Sequence, residues 1–137
     1  MVINYPMSKK ILVIDDDASI ISIFEFILKE AGFTPYTATS GDEGLAIYRE
    51  NRDIDLIFLD VKMPGLSGID TYNALKECND AALIVMMTGY SVDELLKDAF
   101  ELGAYGVIYK PFDVEEVLSV IDKIFKLPAR QPISAPS

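Results

Sequence analysis

Short continuous apolar runs alternate along the chain with longer segments whose apolar residues recur every three or four positions. Residues 10–14, Lys-Ile-Leu-Val-Ile, form a β-branched run closed by three aspartates, the pattern of a strand buried on both faces. From Ala18 to Ala31 the apolar positions are Ile20, Ile23, Phe24, Ile27, Leu28 and Ala31, one face of a helix that Gly32 stops. Residues 33–38 predict a weaker strand, assigned to a sheet edge because Pro35 cannot donate to a ladder. Ser40 and Glu43 form a capping box that opens a helix to about Asn51. Residues 54–59 predict a third strand ending at Asp60, then a loop with Pro64 and Gly65 and a helix from about Ser67 to Cys78. Residues 83–87 predict a fourth strand ending at Thr88-Gly89, and Ser91 with Glu94 caps a helix to about Leu102. A fifth strand covers residues 105–109 and is ended by Lys110-Pro111. The last helix starts at Asp113, with Glu116 completing its capping box and Val114, Val117, Leu118, Ile121, Ile124 and Phe125 as its apolar face.

Five strand–helix units without a hairpin signal predict an α/β fold, a doubly wound parallel sheet between two layers of helices. Parallel strands need crossovers, and those crossovers are right-handed. The 137 residues suffice for one domain, placed at residues 9–125. Residues 1–8 read as a loose lead-in. Residues 126–137, with proline and serine and no acidic residue, read as a flexible tail or a truncated linker.

Charge and composition narrow the function. Twelve basic against 22 acidic residues leave a net charge of −10, a field that repels phosphate backbones and anionic lipid and argues against direct nucleic-acid binding. Every apolar run falls short of the ~18 to 20 residues of a membrane-spanning helix, so no membrane association is expected. A single cysteine, Cys78, and the lack of a secretory pattern near Met1 imply a reducing, cytoplasmic setting. The chain has no histidine, which removes Ser-His-Asp and Cys-His catalysis and histidine-ligated zinc chemistry. Carboxylates remain, and their oxygens suit hard cations such as Mg²⁺ or Ca²⁺.

In an open parallel sheet, sites form at the carboxyl ends of the strands. The polar residues there are Asp15, Asp16 and Asp17 after the first strand, Asp60 after the third, Thr88 after the fourth and Lys110 after the fifth. Carboxylates gathered at one rim repel each other by roughly a few kcal/mol, which a bound divalent cation, Mg²⁺ by preference, offsets. Metal, lysine and hydroxyl together cradle a phosphoryl group, and an aspartate among them can form an acyl phosphate. Taken singly, the aspartates serve equally as helix caps or turn formers, Thr88 as a cap and Lys110 as a solvated charge. Their joint placement just after buried strands favours the chemical reading.

Asp15-Asp16, the run from Leu59 through Asp60, Lys62 and Pro64 to Gly65, Met87-Thr88-Gly89 and Lys110-Pro111-Phe112 together resemble the receiver domain of bacterial two-component response regulators. The resemblance covers nearly all of residues 9–125. It implies the flavodoxin-like sheet order 2-1-3-4-5, for which this family itself supplies an example. By position it implies Asp60 as phospho-acceptor, taking a phosphoryl group from a phosphohistidine of a sensor histidine kinase or a histidine phosphotransfer protein. It implies Mg²⁺ on Asp16, Asp60 and the backbone carbonyl of Lys62, with Asp15 acting through water. Thr88 and Lys110 would hold phosphoryl oxygens, and the Lys110-Pro111 bond would be cis. Phosphorylation would switch the face made by the fourth helix, fifth strand and fifth helix, the surface for output and for self-association as a homodimer, with Val92, Leu95 and Leu96 available there. The output partner is either another protein or a missing C-terminal output domain.

Val107 stands where the family usually carries a switching aromatic, with Tyr105 and Tyr109 flanking it instead. Lys62 and Tyr90 occupy positions that tune hydrolysis in the family. Their long side chains predict a persistent phosphorylated state. Two other readings compete: a receiver-like scaffold that is never phosphorylated, and an aspartate-nucleophile phosphatase. The second needs an Asp-x-Asp-x-Thr run that residues 14–18 do not supply, so no turnover of a small phosphate ester is expected. A flavin binder is disfavoured because three aspartates after the first strand would repel its phosphate.

Overall fold

The computed structural model describes residues 9–61, 68–89 and 106–126. Five strands, β1 (Lys10–Ile14), β2 (Thr34–Ala38), β3 (Leu56–Asp60), β4 (Ile84–Gly89) and β5 (Gly106–Lys110), form one sheet in the order β2-β1-β3-β4-β5. Every pairing is parallel. Helices α1 (Ala18–Glu30), α2 (Gly41–Glu50), α3 (Gly68–Cys78) and the C-terminal helix (Val114–Phe125) cover its two faces. The doubly wound arrangement and its strand order are those expected from the alternation and the family resemblance. Among the described residues no helix is long and apolar enough to cross a membrane.

Strand periodicity divides the core in two, because successive side chains point to opposite faces. Leu12, Ile14, Ile57, Leu59, Ile84 and Met86 pack with Leu45 and Tyr48 of α2 and Tyr72 and Leu75 of α3. Ile11, Val13, Leu56, Phe58, Val85 and Met87 pack with Phe24, Ile27 and Leu28 of α1 and Val117, Leu118 and Ile121 of the C-terminal helix. Each such side chain contributes about 1.5 to 3 kcal/mol when fully buried.

The helix ends follow their sequence signals. Ser40 caps α2 by accepting from the Glu43 N–H, and Asp113 caps the C-terminal helix by accepting from the Glu116 N–H. The α2 box differs from the full reciprocal form: the Glu43 carboxylate accepts from the Thr39 hydroxyl at 3.5 Å. Gly32 adopts φ 90° just past α1, a conformation that costs glycine nothing. At the other end of the C-terminal helix, the Phe125 ring lies 6.1 Å from the Phe33 ring, the Lys9 ammonium sits 5.3 Å from its centroid, and Lys126 is a left-handed C-cap.

Boundaries shift where pairing overrides periodicity. β3 starts at Leu56, because Ile54 turns back to bond the Asn51 carbonyl. β4 runs on to Gly89, where Thr88 and Gly89 find partners in Tyr109 and Lys110 of β5. Ile23, expected on the buried face of α1, is 43% exposed. The stripe is centred on Phe24 and Leu28 and takes in Ile21, which leaves Ile23 at its margin. The lead-in 1–8, Lys62, the Pro64-Gly65 loop, Tyr90, Tyr105, the helix expected over residues 91–102 and the tail beyond residue 126 lie outside the described residues.

One buried polar atom in α3 supports a simple test. Thr71 is fully buried and its Oγ1 has no hydrogen-bond partner among the described residues. An unpaired buried hydroxyl costs about 1 to 3 kcal/mol, and valine keeps its shape at similar helix propensity. Thr71→Val is therefore expected to raise unfolding stability by about 1 kcal/mol, read as a higher urea midpoint at unchanged slope.

Candidate functional site

The site assembles where the strands on the α1 side of the core end. Asp15, Asp60 and Lys110 each lie two residues beyond a core residue of that side, namely Val13, Phe58 and Ile108, so strand alternation brings all three out together. A backbone bond from the Asp15 N–H to the Ala38 carbonyl, 3.1 Å, holds Asp15 at the rim. Asp60 is the last residue of β3 and Lys110 the last of β5.

Lys110 Nζ donates to Asp15 Oδ2 at 2.6 Å and lies 3.6 Å from Asp60 Oδ2. Asp15 is fully buried and also accepts from the Asp17 N–H at 2.9 Å, whereas Asp60 is 4% exposed. Burial on its own would depress the Lys110 pKa. The hydrogen bond to Asp15 and the field of Asp60 and Asp15 outweigh that effect and raise it above the ordinary lysine value, so the ammonium stays charged.

Oxygens of Asp15, Asp16 and Asp60 all lie within 4.8 Å of one another, two of the residues buried and Asp16 exposed. Three carboxylates against the Lys110 ammonium leave an excess of negative charge in a partly desolvated rim. The donor set is all oxygen, the preference of Mg²⁺, whose opposite ligands stand roughly 4 Å apart, so the residues present fit such an ion. The Lys62 carbonyl, expected as a further ligand, lies outside the described residues.

The structure divides the three consecutive aspartates. Asp17 is not in the cluster: it is the N-cap of α1, accepting from the Ser19 hydroxyl at 2.6 Å and the Ser19 N–H at 2.9 Å. The hydroxyl bond chiefly holds its carboxyl below the usual carboxylate range. Thr88 is placed by its backbone in β4, one residue past Met87, the register partner of Asp60. The Lys110-Pro111 bond is cis, as the resemblance implied. Val107 is half-buried against the α2–α3 side of the core, while Tyr109 is 51% exposed.

Sequence reasoning missed the seat of α3. A Cβ built on Gly68 would meet Val61 Cα at 2.5 Å, the Asp60 carbonyl oxygen at 2.6 Å and the Val61 carbonyl oxygen at 2.6 Å. The Gly68 N–H donates to the Val61 carbonyl at 3.1 Å. The first residue of α3 thus rests on the backbone that carries Asp60. A glycine opening a helix a few residues after the Asp60 loop was the available signal.

The sequence matches the response regulator receiver domain family over residues 11–122. It is 31% identical over 121 residues to sporulation initiation phosphotransferase F of Bacillus subtilis, covering 88% of this chain and 97% of that protein. It is 37% identical over 133 residues to the alkaline phosphatase synthesis transcriptional regulatory protein PhoP of the same organism, covering 96% of this chain but 53% of that protein. The chain therefore spans nearly all of the first relative and about half of the second. The solved response regulator receiver domain protein of Clostridium thermocellum superposes with a TM-score of 0.82 at 33% identity, covering 86% of this chain and 94% of that one.

Proposed function

Because this chain belongs to the response regulator receiver domain family, whose standard function is to accept a phosphoryl group in signalling, we propose that Asp60 is the acceptor, with Lys110 and Thr88 as its partners. The observation that carries this reading is the convergence of Asp15, Asp16, Asp60 and Lys110 at one rim. A carboxylate oxygen of Asp60 attacks phosphorus, the P–O bond forms as the P–N bond of a phosphohistidine breaks, and the imidazole leaves with its electron pair. The donor is a sensor histidine kinase or a histidine phosphotransfer protein, since this chain has no histidine.

Asp15, Asp16, Asp60 and the Lys62 carbonyl would hold Mg²⁺, which when bound neutralises charge on the phosphoryl oxygens. Asp15 keeps the Lys110 ammonium at the rim, and that ammonium, 3.6 Å from Asp60 Oδ2, supplies the second positive centre. The Thr88 hydroxyl donates to a phosphoryl oxygen. Output then runs through the face that includes β5 and the C-terminal helix, to a partner protein or an attached output domain, and the same face supports self-association. No turnover of a small phosphate ester accompanies this role. A cytoplasmic setting follows from the donor.

The test is phosphoryl uptake from a phosphohistidine protein or a small acyl phosphate, with and without Mg²⁺, the adduct being reduced with borohydride and mapped by mass spectrometry. Uptake that requires Mg²⁺ and maps to Asp60 is expected. A label on another residue, or uptake indifferent to Mg²⁺, overturns the assignment, and absence of uptake together with no response to Mg²⁺ and beryllofluoride favours the unphosphorylated scaffold.

A further inference from the structure

Lys110 is the last residue of β5, an edge strand of the described sheet, and the residues around it are largely exposed. Tyr109, Pro111 and Asp113 are exposed. Phe112 differs from these three: its side chain packs against the α1 side of the core. Its ring meets the Phe24 ring edge-on, with centroids 5.3 Å apart and planes at 71°. Phe24, fully buried in α1, meets the ring of Phe58 at 5.0 Å and 51°. Phe58 lies two residues before Asp60 on β3, on the same side of the sheet. Three rings therefore connect the segment just after Lys110 to the strand that carries Asp60, beneath the carboxylate rim. Tilted and edge-on ring pairs of this kind prefer defined geometries, so each ring constrains the next.

We propose that Phe112 is a positioning residue for Lys110, setting through Phe24 and Phe58 the distance between the lysine ammonium and the Asp60 carboxylate. This rests on the reading of Asp60 as acceptor and Lys110 as its charge partner. The Asp15 hydrogen bond fixes one direction of the ammonium, and the ring series fixes the backbone from which the lysine springs. A lysine side chain has four rotatable bonds, so loosening its anchor spreads the ammonium over positions that no longer serve the phosphoryl oxygens. The acids themselves follow β1, as Asp15 and Asp16 do, or end β3, as Asp60 does, and keep their places.

The experiment is a double-mutant cycle of Phe112→Ala and Lys110→Ala, read as the rate of phosphoryl uptake from a small acyl phosphate in Mg²⁺. Phe112→Ala is expected to slow uptake about 10-fold, at unchanged Mn²⁺ affinity measured by electron paramagnetic resonance, and to add less than a further twofold once Lys110 is alanine. Phe33→Ala removes a comparable ring pair, with Phe125, at the other end of the same core and is expected to leave the rate within twofold of the parent. Phe112→Leu run in parallel covers the case in which the alanine variant does not fold. Independently of uptake, the Lys110 ammonium resonance in ¹⁵N NMR of the metal-free protein, slowed in exchange by its bond to Asp15, is expected to broaden in Phe112→Leu and not in Phe33→Ala. The proposal is overturned if the two phenylalanine variants slow uptake alike, if Phe112→Ala acts as strongly without Lys110, or if the ammonium resonance is indifferent to residue 112. Should the parent take up no phosphate at all, the acceptor assignment fails while the resonance still decides the role of Phe112.

Discussion

Asp60→Asn is expected to lower phosphoryl uptake by at least about 10³-fold and at the same time to make the metal-free protein more stable. The first effect follows because an amide has no anionic oxygen with which to attack phosphorus. The second follows from what surrounds the side chain. Carboxylate oxygens 4.8 Å apart repel by roughly 3 kcal/mol at an effective dielectric of about 20, and Asp60 has two such neighbours within that distance, Asp15 and Asp16, against the attraction of Lys110 at 3.6 Å. Asp16 is exposed, so its share is largely screened. The Asp15 repulsion and the Lys110 attraction then roughly cancel, and what is left is the cost of keeping a carboxylate ionised at a position only 4% exposed, which an amide avoids; the expected gain is about 1 kcal/mol, read from urea unfolding in a chelator. In millimolar Mg²⁺ the order is expected to reverse, because the parent gains binding energy that the variant lacks. A variant that still accepts phosphate at the parental rate would remove Asp60 from the mechanism, and one less stable than the parent in chelator would show that the Asp60 charge carries no net cost.

Gly68→Ala tests the mechanical link between α3 and the acceptor strand. A Cβ there collides with backbone atoms of Asp60 and Val61, and backbone cannot rotate out of the way as the tip of a side chain can. Either α3 lifts off β3 and loses the Gly68 N–H bond to the Val61 carbonyl, or the end of β3 is displaced with its carboxylate. Overpacking of this kind costs about 3 kcal/mol, and it is expected to weaken Mg²⁺ binding as well, since Asp60 moves relative to Asp15 and Asp16. Calorimetric melting with and without Mg²⁺ measures both. A melting temperature and Mg²⁺ shift equal to the parent's would mean that α3 yields without disturbing the site.

Most of the architecture was legible in the chain because both of its signals are local. Buried strands such as residues 10–14 declare themselves by unbroken β-branched runs, and the C-terminal helix by Asp113, Glu116 and its spaced apolar face. The site was legible for a different reason: in a parallel sheet every strand delivers its last residue to the same rim, so Asp15, Asp60 and Lys110 could be assembled without knowing a single distance. What stayed hidden depends on contacts between distant parts. That Asp17 caps a helix while its neighbour Asp16 joins the cluster turns on the local backbone path. Ile23 fits a three-and-four spacing as well as Phe24 does, and only packing tells which way the stripe faces. The close approach at Gly68 and the ring series through Phe24 join segments far apart in the chain, and no pattern within one segment encodes them.

The C-terminal helix is capped by Asp113, three residues past Lys110, and its other end is clamped where Phe125 meets Phe33 and Lys9. Such a helix is a stiff rod of roughly 18 Å, hinged at one tip and tethered to the chemistry at the other. A displacement of about 1 Å near Lys110 would therefore swing it by about 3° about Phe125, so that a local event becomes a tilt of the whole outer surface.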